Sequence, residues 1–80
     1  MSEQARLKWL CRRGMKELDV LLERYLARDY ADASVAERAA FRELLELQDP
    51  VLWDYVMERD QPQEEVMQDV IRKLVSTLRA

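Results

Sequence analysis

Eighty residues give room for one domain with one modest core and exclude any multi-domain enzyme. Hydrophobic residues make up 49% and charged residues 36%, with one Gly and two Pro, a profile that favours long helices over disorder or turn-rich sheet. The formal net charge is −3, yet residues 1–16 hold Arg6, Lys8, Arg12, Arg13 and Lys16 against Glu3 alone. That polarity suits a protein partner with complementary patches and disfavours nucleic acid, which the acidic remainder would repel.

In chain order, Leu7, Leu10 and Cys11 recur at helical spacing, and Arg12 and Arg13 place cations at the negative end of that helix. Gly14 then ends it, as the one residue able to take a left-handed cap without cost. A second helix follows, with Met15, Leu18, Leu22, Tyr25 and Leu26 on one face, Glu17 and Asp19 in its first turn, and an end near Asp29. Tyr30 to Ala33 read as a loop. Ser34 and Glu37 form the S-x-x-E capping box of a third helix, whose inner stripe is Phe41, Leu44 and Leu45.

Asp49-Pro50 predicts a fourth helix start, with Asp as cap and Pro at the first helical position; Leu52, Trp53, Val56 and Met57 then face inward. Asp60, Gln61 and Pro62 break the chain before Val66, Met67, Val70, Ile71, Leu74, Val75 and Leu78, the strongest apolar periodicity in the sequence. The expected fold is therefore all-α: a five-helix bundle in which residues 1–80 form a single small domain, a monomer when free. The alternative of a dimeric coil from Val66 onward is disfavoured by its length, under three heptads.

The chemistry that is missing limits function as strongly. With no His and one Cys, a zinc site would need an unusual ligand set made almost entirely of carboxylates, no Ser/His or Cys/His catalytic pair can be assembled, and a single Gly excludes the glycine-rich cradles for phosphates and dinucleotides. Carboxylate pairs such as Glu64-Glu65, or Asp54 with Glu58, have the spacing of a solvated helix face. No catalytic residue, metal or cofactor is expected, so the chain reads as a non-enzyme. Cys11 and the Met residues Met15, Met57 and Met67 read as core, whereas Trp9 lies off the inner stripe. The leading residues Met1-Ser2-Glu3-Gln4 have neither a secretory nor a mitochondrial pattern, and no stretch reaches membrane-span length; a cytoplasmic protein is expected.

One constellation exceeds what a helix junction needs. Arg13-Gly14-Met15-Lys16-Glu17, continuing into Leu18-Asp19, resembles the R-G-x-x-E signature of the SdhE family, the succinate dehydrogenase assembly factors. Downstream, Phe41, Leu44, Leu45, Asp49, Leu52 and Trp53 stand as F-x-x-L-L-x-x-x-D-x-x-L-W, similar to the second half of the family pattern. The resemblance spans roughly residues 6 to 78. One departure is Glu58-Arg59-Asp60, where members often carry Gly after the Trp-containing helix.

The resemblance implies a chaperone-like factor that binds the flavoprotein subunit of succinate dehydrogenase or fumarate reductase and promotes its covalent FAD attachment. The histidyl-flavin chemistry would lie in that partner. It also implies Arg13, Gly14 and Glu17 as partner-binding positions, with Arg12 and Asp19 beside them; Arg13→Ala is expected to be intermediate in effect if Arg12 can substitute. An antitoxin-like regulatory module, which would bind a toxin stoichiometrically, and a helix-turn-helix DNA binder remain as rivals, the second disfavoured by the acidity of the later helices.

Overall fold

A computed structural model of the chain describes residues 2–76. Leu78, placed on the last apolar stripe by the sequence, lies outside the described residues. Helix α1 (Glu3–Leu10) opens on Ser2, whose hydroxyl accepts from the Ala5 amide at 3.2 Å, and turns Leu7 and the following Cys11 inward. Leu10, expected inside, is 37% exposed. At 100° per residue it stands well off the Leu7–Cys11 line, and so short a helix covers only one narrow stripe.

Helix α2 (Lys16–Arg28) buries Leu18, Leu21, Leu22, Tyr25 and Leu26; Met15 is its N-cap residue, half-buried against the core. Tyr30–Asp32 form a 3₁₀ turn in place of the expected loop, and Tyr30 is buried against the Phe41 ring at 5.7 Å. An aromatic that large supplies enough apolar area to hold a single turn closed.

Helix α3 (Val35–Leu45) starts as expected, with the Ser34 hydroxyl accepting from the Glu37 amide at 3.1 Å. The return half of the capping box does not form, because the Glu37 carboxylate is engaged elsewhere. It accepts from the Tyr25 hydroxyl at 2.5 Å and from Lys73 at 2.8 Å, which ties together α2, α3 and the last helix. Helix α4 (Asp49–Val56) also differs from expectation: Gln48 is the N-cap residue, Asp49 opens the helix, and no side chain caps it. The Asp49 carboxylate is committed to Arg13, as described below. Leu52 and Val56 are buried and Trp53 packs at the core edge, but Met57 is 44% exposed because it ends the helix rather than belonging to its inner face.

After α4 the chain makes a Schellman-like turn: Arg59 N–H donates to the Asp54 carbonyl at 2.9 Å and Glu58 N–H to the Tyr55 carbonyl at 3.1 Å. Glu58 is the left-handed residue of that turn, φ 61°. The Gly expected there is thus replaced without loss of the turn itself. Helix α5 (Glu65–Ser76) buries Val70, Ile71, Leu74 and Val75, with Val66 and Met67 packed at the margin.

Helix α5 packs chiefly on α3 and next on α2, while α1 rests on α2. The radius of gyration, 11.5 Å, matches the roughly 11.6 Å of a closed globule of this length. Tyr25 and Phe41 meet near the centre with ring centroids 4.5 Å apart. No strand occurs among the described residues.

Candidate functional site: the α1–α2 junction

The segment Cys11–Met15 joins α1 to α2, and its conformation is fixed from three sides. Cys11 is fully buried; burial, with the Glu23 carboxylate nearby, pushes its thiol up to about 12, so it is an apolar anchor and not a nucleophile. The Arg13 amide donates to the Asp19 carboxylate at 2.8 Å, which folds the segment back over the first turn of α2. Gly14 takes φ +83°. It lies beyond the cap of α1, which is Cys11 in right-handed conformation, and serves as the bend into α2 rather than as the helix cap the sequence suggested.

The third tether is the Arg13 side chain, which turns inward and is only 10% exposed. One terminal nitrogen donates to the Leu47 carbonyl at 2.5 Å and to Asp49 Oδ1 at 3.1 Å, and the other donates to the Leu45 carbonyl. These carbonyls lie where α3 ends and lack helical partners, so the guanidinium caps that helix and locks its junction with α4. Its Nε is buried with no hydrogen-bond partner among the described residues.

The five residues singled out by the sequence therefore divide. Arg13 and Asp19 face into the junction; Arg12, Gly14 and Glu17 are exposed on it. Arg12 makes none of the contacts that hold Arg13 to Leu45, Leu47 and Asp49. Trp9, 69% exposed, and the exposed Leu10 stand on α1, and Val20, also exposed, on α2.

Sequence reasoning missed the role of Asp49, which it took for a helix cap. The available signal was its place in F-x-x-L-L-x-x-x-D-x-x-L-W, a fixed spacing that a capping role alone does not require. An open groove lies between the α4–α5 turn and α5, lined by Tyr55, Arg59, Pro62, Ile71 and Arg72, and includes none of the signature residues. No cluster of three or more metal-ligating side chains occurs among the described residues, and none of their helices is long and apolar enough to cross a membrane.

Comparison with known proteins gives this geometry its context. Residues 5–78 match the family model described as flavinator of succinate dehydrogenase. The chain is 43% identical to the FAD assembly factor SdhE of Methylococcus capsulatus, over 92% of this chain and 89% of that one. Against the FAD assembly factor SdhE of Xylella fastidiosa identity is 42%, over 99% and 77% of the two chains. The Yersinia pseudotuberculosis protein of the same name is 34% identical, over 100% of this chain and 91% of that one. A match that runs through both helical halves and spans the R-G-x-x-E junction makes the chain a member of the SdhE family of FAD assembly factors, the flavinators of succinate dehydrogenase.

Proposed function

We propose that this chain binds the flavoprotein subunit of succinate dehydrogenase, fumarate reductase or both, and promotes covalent attachment of FAD to it. The observation that carries the reading is the family match through the R-G-x-x-E junction, whose Gly14 and Glu17 are exposed on a rigidly held surface. The chain acts as a cytoplasmic monomer that engages protein and not nucleic acid. It supplies no catalytic group. Its contribution is differential affinity for a flavinylation-competent conformation of the partner, since a binding protein shifts an equilibrium only by binding one state better than another. The linking chemistry is carried out by the partner's own residues and flavin.

Within this reading Glu17 is the charge presented to the partner. It stands exposed in the first turn of α2, where its removal costs the free protein only about 0.3–1 kcal/mol of dipole stabilisation. A charge paired across an interface is worth more, roughly 2–5 kcal/mol on truncation. In cells lacking this chain, complemented with the wild type or with Glu17→Ala, covalent flavin on the flavoprotein subunit is measured by in-gel fluorescence. The wild type restores flavin and Glu17→Ala, at normal abundance, does not. Full flavinylation without any complementing copy would overturn the function, and full flavinylation with Glu17→Ala would overturn the role of Glu17.

A further inference from the structure

We propose that Asp49, together with the Leu45 and Leu47 carbonyls, is a positioning element of the docking junction, acting on the partner only through Arg13. The inference rests on the proposed docking role of Gly14 and Glu17 and extends it to a part of the chain more than thirty positions away.

The Arg13 fork is held by three acceptors around the α3–α4 connection: Leu45 O at the end of α3, Leu47 O in the connection at 2.5 Å, and Asp49 Oδ1 at the start of α4 at 3.1 Å. Of these three only Asp49 carries charge. It neutralises a guanidinium whose side chain is nine-tenths buried and whose Nε has no partner among the described residues. A buried cation without its counter-charge is strongly disfavoured, so loss of Asp49 expels the guanidinium toward water. The backbone follows, because the Arg13 amide is tied to Asp19 and Gly14 comes next in the chain.

Gly14 cannot hold the bend by itself. A Cβ added there would meet nothing within 4 Å, so no packing confines the residue, and glycine explores more backbone conformations than any other residue. The position of Gly14 and Glu17 relative to the core is therefore set by two flanking devices, the buried Cys11 on one side and the Arg13 clamp on the other. Asp49 does not have to touch the partner for this, and it forms no cap hydrogen bond at the start of α4 that would explain it otherwise. The arrangement also supplies a physical reason why R-G-x-x-E and the D of D-x-x-L-W occur in one chain: each half of the pattern supplies half of one ion pair.

The test is a double-mutant cycle in binding to the purified, flavin-free flavoprotein subunit, using the full chain and the variants Asp49→Ala, Arg13→Ala, Glu17→Ala and their pairs. Each variant is first checked for native helicity and a cooperative thermal transition. Asp49→Ala is expected to weaken binding roughly tenfold or more, because loop residues freed in the unbound protein must be ordered on docking. It is expected to add little in the Arg13→Ala background, and to accelerate amide exchange at residues 12–17 while leaving α5 unchanged. Arg13→Lys should behave as Arg13→Ala, since a single ammonium cannot serve three spread acceptors; Asp49→Asn, which keeps an acceptor oxygen, should recover part of the binding and serves if Asp49→Ala does not fold. Additive effects of Asp49→Ala and Arg13→Ala, or unchanged binding with Asp49→Ala or Asp49→Asn while Glu17→Ala is impaired, would overturn the positioning role and leave the docking reading intact. Failure of the wild-type chain itself to bind the subunit would overturn the docking reading instead.

Discussion

Gly14 has a left-handed φ of +83°, and a Cβ at that position would have no neighbour within 4 Å, so replacing it meets backbone strain and no clash. Gly14→Ala is expected to cost about 1–2 kcal/mol, measured as a shift in urea midpoint without change in slope. The opposite holds at Glu58, the non-glycine residue at φ 61° that follows α4. Glu58→Gly removes a left-handed penalty of about 1–2 kcal/mol against about 0.4–1 kcal/mol of added unfolded-chain entropy, so the backbone contribution of the change raises the urea midpoint. A lower urea midpoint would contradict this. Cys11, fully buried and with its thiol pushed up to about 12, should resist alkylation in native buffer and react at once in denaturant. Rapid labelling of the folded chain would show that the α1–α2 junction opens.

At the scale of the element, α5 organises the core: it lies against α2, α3 and α4 and buries Val70 and Leu74 almost completely. Either Val70→Asp or Leu74→Asp places a charge inside that apolar cluster, at several kcal/mol against a total stability of about 5–15 kcal/mol. Loss of cooperative unfolding by circular dichroism is the expected outcome, and a native thermal transition for Val70→Asp would mean that α5 is rotated about its axis. Helix α1 contrasts with this. It contributes one buried side chain, Leu7, and presents Trp9 to solvent, so its value to the fold is small and its exposed face is available to the junction.

Across the whole molecule, three helices are stitched by one carboxylate. Burial pushes the Glu37 carboxyl upward, but the Lys73 ammonium and the Tyr25 hydroxyl that donate onto it outweigh burial and hold it below its ordinary 4.5. A carboxyl depressed in the folded state contributes stability that is fully present above its unfolded value and is lost as pH falls through the folded value. Wild type should therefore exceed Glu37→Gln in urea midpoint at pH 7, and the difference should shrink on acidification below about pH 4.5. A difference independent of pH would mean that the carboxylate acts by packing alone. A second bridge joins the remaining parts: Tyr30 donates to Glu3 at 2.5 Å and accepts from Arg42 at 2.9 Å, which ties α1, the 3₁₀ turn and α3.

Local physics in the sequence determined much of this protein. Apolar spacing together with cap and break residues identifies five helices, the buried stripes of α2, α3 and α5, and the Ser34 cap, because period and capping are properties of neighbouring residues; the R-G-x-x-E resemblance likewise marks the junction as the place to look for function. Only tertiary structure decided what single side chains do across the chain. Asp49 and Glu37, which read as capping residues, spend their carboxylates on Arg13 and on Tyr25 with Lys73, since a strong long-range ion pair outcompetes a local capping bond once the fold brings the partners together. Tyr30 reads as loop until Phe41 is packed beside it, and Leu10 and Met57 read as core until the ends of α1 and α4 are seen to stop short of it. Arg13, the first letter of the signature, points away from the surface its neighbours present, because the free carbonyls at the end of α3 make an inward site for a guanidinium that periodicity cannot reveal.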